Sequence, residues 1–268
     1  MIKKIMNGGK TICDFGMPAL VEFYSLEDNI ELCHRLNLDF IELNLDIPYC
    51  FLENLDTKLL NNNNFTIHLS EKFDVGELNS SLRELYLNEI EKIIFFGTKF
   101  NIFKYNLHLD PGIHFSLPDK KIFIYQEYLS DYLKAYKSSC DILSNIANKY
   151  NATILFENVK IESYTLKAIE IISNYDNLFF TLDLGHNIKH GNVAKEQFLK
   201  FENKIRHIHL HDFDGSKDHQ ELFSGILNVK EELNFCSKNN LDVVIEVKRK
   251  EELVNSVNKL KTNGYIAK

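Results

Sequence analysis

The chain has 268 residues, is 44% hydrophobic and 26% charged, and carries a net charge of −7, an ordinary globular balance that excludes fibrous and disordered classes. The acid excess, the four arginines (Arg35, Arg83, Arg206, Arg249) and the lack of a nucleic-acid-binding Lys/Arg cluster make nucleic acid an unfavoured partner. Five widely spaced cysteines without Cys-x-x-Cys, no apolar run of transmembrane length and no signal-like h-region predict a cytoplasmic chain with reduced thiols.

The first β-like run is TICDFG (11–16), followed by the helical SLEDNIELCHRLN (25–37), whose Leu26, Ile30 and Cys33 share a face. DFIELN (39–44) comes next, then a short helix near 51–60 that ends in four asparagines, Asn61 to Asn64. FTIHL (65–69) leads to a helix over 78–96, and KYNLHL (104–109) opens into a long connection, HLDPGIHFSLPDKK (108–121). A βα connection of that length suits a lid. A helix over 126–150 follows, then ATILFE (152–157) with a helix over 165–174, and LFFTLD (178–183) with a helix over 193–203. IRHIHLH (205–211) with a helix over 229–239, and DVVIEV (242–247) with a helix over 251–260, complete the series. Eight βα units without a Gly/Pro-rich linker or a phosphate loop predict one (β/α)8 TIM barrel domain over residues 1–268.

A barrel of this kind works at the C-terminal ends of its strands. From the second strand onward these ends read Glu42 and Asn44, His68, His108, Glu157, Asp183 (with His186 after it), His209 and His211, and Glu246. Taken singly, each is an ordinary hydrogen-bonded residue. Jointly they are costly, because acids embedded in runs such as ILFE and VVIE need compensation when buried. A central cation satisfies all of them, and a mixed His/Asp/Glu set suits Zn, Mn or Co better than Mg alone. In RHIHLHD the aliphatic Ile208 and Leu210 face the helices and the imidazoles face the axis. His209 lies at ligand height, His207 a layer deeper and His211 at the rim.

The motifs FENV (156–159), LDLGHN (182–187), HIHLHD (207–212) and IEVK (245–248) resemble the xylose isomerase-like TIM barrel superfamily, which holds sugar phosphate isomerases/epimerases and endonuclease IV. The resemblance implies one divalent metal on Glu157, Asp183, His209 and Glu246. Its endonuclease branch adds histidines that match His68, His108, His186 and His219. One ligand of that branch is missing: two positions before His219, where an aspartate belongs, stands Lys217, which Asp218 or Asp214 would have to replace. The His-x-x-Leu-Gly pattern also ends in Phe223 in place of glycine, a substitution that would narrow the cleft.

These residues support a metal-dependent sugar or sugar-phosphate isomerase/epimerase, in which Glu157 and Glu246 move a proton through an enediolate. His186 and His211 would contact substrate, and Lys217 would take a phosphate or carboxylate. The cofactor expected is Mn, Co or Zn, one ion with room for a second, the partner a small molecule, and a homo-oligomer is compatible. The alternatives are a zinc phosphoester hydrolase of endonuclease IV type, with His68 and His108 on a second metal, and a barrel that binds without turnover.

Overall fold

The computed structural model describes residues 13–267. Eight parallel strands close into a barrel: β1 (Phe15–Pro18), β2 (Phe40–Asn44), β3 (Phe65–His68), β4 (Lys104–His108), β7 (Thr153–Glu157), β8 (Leu178–Asp183), β9 (Ile205–Leu210) and β10 (Asp242–Ile245). The predicted first strand begins at Thr11, but Thr11 and Ile12 lie outside the described residues.

Polar local chemistry sets the boundaries of the outer helices. Ser25 caps 26–36 and Asn79 caps 80–98, each through its side chain on first-turn N–H groups. Asn37, Asn151 and Asn240 end their helices in the left-handed region, which asparagine tolerates and which turns the chain back toward the next strand. The short helix expected near 51–60 is instead two 3-10 turns, Pro48–Cys50 and Leu52–Asn54, followed by Thr57–Asn62. Asp56 caps that last helix and so sets its late start.

The long connection after β4 is not structureless. It carries a hairpin of β5 (His114–Ser116) and β6 (Lys121–Phe123), whose strands pair only with each other. Tyr125 at its base donates to Asp74, and Tyr164 donates to the Pro111 carbonyl at 2.7 Å. Gly112, at φ +69°, lies where a side chain would strike the Tyr125 ring.

The barrel interior departs from the usual aliphatic filling. Glu42, Thr66, Asn106, Thr181, His207 and His209 are all buried, whereas Ile208 and Leu210 of β9 join the apolar packing. The strand-nine periodicity therefore sorts as the sequence predicts.

Candidate metal centre

Four strands bring Glu157, Asp183, His209 and Glu246 together, with one ligand atom from each lying within 4.8 Å of the others. Register explains the convergence: Asp183 pairs with His209, and His209 with Val244, two positions before Glu246. His209 Nδ1 stands 3.1 Å from Glu157 Oε1 and 3.3 Å from Glu246 Oε2. Neither His209 Nδ1 nor Glu246 Oε2 has a hydrogen-bond partner among the described residues, although both atoms are buried. Three buried carboxylates around an undersatisfied imidazole fit a cation. Burial alone would raise the Glu157 and Glu246 carboxyls. For Glu157 the neighbouring His209 outweighs burial, and for Glu246 Lys248 and then His209 do so, leaving both well below the usual carboxylate range.

The FEN motif does more than supply Glu157. Asn158 accepts from the Asp183 N–H and donates to its carbonyl, both at 2.9 Å, which pins the main chain of the neighbouring ligand. Asp183 in turn caps the helix 184–189 by accepting the His186 N–H at 2.7 Å. His211 Nδ1 accepts the His219 N–H, so its Nε2 carries the proton and faces Asp183 Oδ1 at 3.1 Å. His211 thus orients Asp183 and contacts no open space; it is 0% exposed. Gly185 makes room for it, since a Cβ there would fall 2.0 Å from the His211 ring.

His68 and His108 meet Glu157 from the other side, with Nε2 atoms 3.4 and 3.8 Å from Glu157 Oε2. His68 Nδ1 is held by the Leu69 carbonyl at 2.8 Å, which leaves Nε2 directed at the acid. Burial opposes the charge on His68, but Glu157 prevails and raises it to about 9. Burial lowers His108. These three residues form a second group with ligand spacing.

A third group joins His186, His211, Asp218 and His219. Asp218 stands 3.4 Å from His186 Nε2 and 3.4 Å from His211 Nδ1. Of the two aspartates the sequence offers where Lys217 departs, Asp218 is the one that lies in this group. Lys217 itself is exposed, and its N–H donates to Asp214. The structure does not bring Lys217 to the site. His219 reaches the group through a left-handed φ of 51°, and Phe223 adopts φ 63°. The phenylalanine holds a conformation that suits glycine, and its side chain packs against the core.

The sequence profile of the xylose isomerase-like TIM barrel matches residues 52–261. The chain belongs to this family. An uncharacterized protein of Methanocaldococcus jannaschii is 36% identical over 129 residues, 45% of this chain and 50% of that protein. The match thus spans about half the length of that relative. A D-tagatose 3-epimerase-like protein superposes with a TM-score of 0.75 at 24% identity, covering 93% of this chain and 96% of the other. A zinc-bound IolI protein gives 0.70 at 17% identity, covering 93% and 97%. At these identities the structural likeness establishes the fold.

In this xylose isomerase-like barrel, sequence reasoning placed Glu42 at a strand end but gave it no role in the site. Glu42 Oε1 lies 2.9 Å from His209 Nε2, while Oε2 accepts from Thr66 at 3.2 Å and faces His207 Nε2 at 3.4 Å. Burial would raise its carboxyl, but His209 and then His207 bring it well below the usual range. His207, as expected, lies deeper; burial lowers it to about 4. The available signal was the acid closing FIE, which had no visible partner in sequence. Beside the four-residue cluster a cavity of ≈ 190 Å³ opens between β1, β2, β3 and β10, with Asn44, His68, Glu246 and Lys248 on its wall. Phe223 does not line it. Among the described residues, no helix is long and apolar enough to cross a membrane.

Proposed function

We propose that the protein is a divalent-metal-dependent isomerase or epimerase of a small sugar or sugar derivative, with Glu157, Asp183, His209 and Glu246 holding the ion. One observation carries the reading: two buried glutamates flank His209 Nδ1 beside a cavity of small-molecule size. Family membership and the epimerase-like structural neighbour support it. A divalent ion bound there would polarise the substrate carbonyl and acidify the adjacent C–H.

The chain's own groups then move the proton. Both glutamates are held ionised, so either can accept the proton from the carbon beside the carbonyl while the C–H electron pair shifts toward oxygen. Return of a proton to the opposite face gives an epimer, and return to the neighbouring carbon gives an isomer. Asn158 and His211 keep Asp183 in place throughout, and Glu42 faces His209 Nε2 at 2.9 Å while Nδ1 faces the glutamates. The test is deuterium wash-in from heavy water, followed by NMR over a panel of ketoses, aldoses and their phosphates with metal-loaded protein. Exchange at a carbon next to the carbonyl, lost in Glu246→Gln, is the expected result. No exchange anywhere in the panel would end this reading.

A second reading is favoured by the His68/His108/Glu157 and His186/His211/Asp218/His219 groups. With further ions on these histidines the same mouth suits hydrolysis of a small phosphoester. Elemental analysis separates the two: about one ion per chain accords with proton transfer, and two or more with hydrolysis.

A further inference from the structure

We propose that Lys248 anchors an anion subsite, so that the substrate carries a carboxylate or phosphate group as well as the reacting carbon. This deepens the isomerase/epimerase reading and rests on it for the identity of the site. Of the residues lining the cavity, Lys248 is the one lysine or arginine, and its ammonium stands at the exposed end. Its ammonium has three donors, and among the described residues it makes a single bond, 2.5 Å to Glu246 Oε1. The other oxygen of Glu246 faces His209 Nδ1. Lys248 therefore bridges the edge of the ligand cluster and the cavity, with two donors left for an incoming acceptor.

The surroundings fit an anion. The Lys248 side chain is 46% exposed, so a ligand can reach it without displacing packed core. Arg249 and Lys250 follow it directly, a run of three cations in a chain whose net charge is −7. They lead into the helix 250–262, so the subsite follows the last barrel strand and precedes a helix N-terminus, the region where barrels of this class place phosphate. Pro18, Ala19, Val21 and Ile47 form an apolar side of the cavity, and its two carboxylates, Glu42 and Glu246, face His209 and Lys248. A neutral sugar would leave the ammonium with no acceptor of opposite charge except Glu246. A carboxylate or phosphate supplies one at the position where a point-charge donor is most useful.

Binding, rather than turnover, tests this. Inorganic phosphate and acetate are titrated calorimetrically into metal-loaded wild type, Lys248→Met, Lys248→Arg and, as a control, Lys217→Gln. Lys248→Met should weaken the preferred anion about tenfold or more, the loss expected for a charge-assisted hydrogen bond. Lys248→Arg should retain most of the binding, and Lys217→Gln should match wild type. Preference for phosphate or for acetate identifies which anion the subsite takes. Equal binding by wild type and Lys248→Met, or no binding of either anion by wild type, overturns the proposal. If Lys248→Met does not fold, Lys248→Gln takes its place, and wild-type anion binding in that variant overturns the proposal. An anion effect at Lys248 without deuterium wash-in would keep the subsite and remove the isomerase reading.

Discussion

Glu42→Gln tests whether the glutamate beneath the cluster shapes the ligand above it. The carboxylate is 3% exposed and sits 2.9 Å from His209 Nε2. The amide keeps the shape: its oxygen can keep the 2.9 Å contact with His209 Nε2, and its NH2 faces the Thr66 hydroxyl and the neutral His207. The fold is therefore expected to survive, and what is lost is the negative charge that makes the imidazole a stronger donor to a cation. Losses of this kind run to about 10–100-fold in metal affinity, roughly 1.4–2.7 kcal/mol. A competition titration against a chromophoric chelator, with Zn and Mn in turn, measures the difference directly. Glu42→Ala should do worse, since it also removes the buried oxygens that accept from Thr66 and face His207 and His209, at a further cost of about 1–3 kcal/mol. Wild-type affinity in both variants would refute the reasoning and leave Glu42 as a core acid with no hold on His209.

Three further outcomes are expected. Gly185→Ala places a methyl 2.0 Å from the buried His211 ring, so it should cost roughly 2–4 kcal/mol in urea unfolding and weaken metal retention; a loss under about 0.5 kcal/mol would mean that the ring moves freely. His68→Ala combined with His108→Ala should lower a measured stoichiometry of two ions to one, with the Glu157/Asp183/His209/Glu246 ion retained; unchanged metal content would remove the second group from consideration. Asp74 is raised to about 7, chiefly by burial, so the folded state binds more protons than the unfolded state between about pH 4 and 7, and wild type should lose stability as pH rises through that window. Asp74→Asn should flatten that part of the profile in thermal melts, and an unaltered slope would show that Asp74 does not titrate there.

The fold was legible because each strand carries its own evidence: HIHLH alternates, ILFE and VVIE end in acids, and the intervening helices are amphipathic. The four-residue cluster was legible for the same reason, since barrel geometry sends all strand ends to one place. What escaped depended on contacts between distant segments. Glu42 acquires its meaning only when β9 lies across the barrel from β2 and presents both His207 and His209 to it. Spacing left Asp214 and Asp218 open as partners for the histidines, and the fold of the loop brings Asp218 to His186 and His211. Lys217 was the lysine singled out as a substrate cation, whereas Lys248 lines the cavity, a placement that spacing alone does not reveal. The hairpin over 114–123 was too short, and too weakly patterned, to stand out from a loop.

Asp212, fully buried just past β9, accepts the N–H groups of Phe213, Gly225 and Leu227 at 2.9, 2.9 and 3.0 Å. Its carboxylate thus ties both ends of the 213–227 excursion to one point, and Gly225 is needed there because a Cβ would fall 2.3 Å from the Phe213 carbonyl. The excursion therefore behaves as a clamped cassette. Residues 214–217 at its exposed tip can be exchanged without loosening the clamp, whereas a change at Asp212 or Gly225 would release His219 and Asp218 together. A laboratory grafting a tag or loop into this barrel should use the tip and leave the clamp alone.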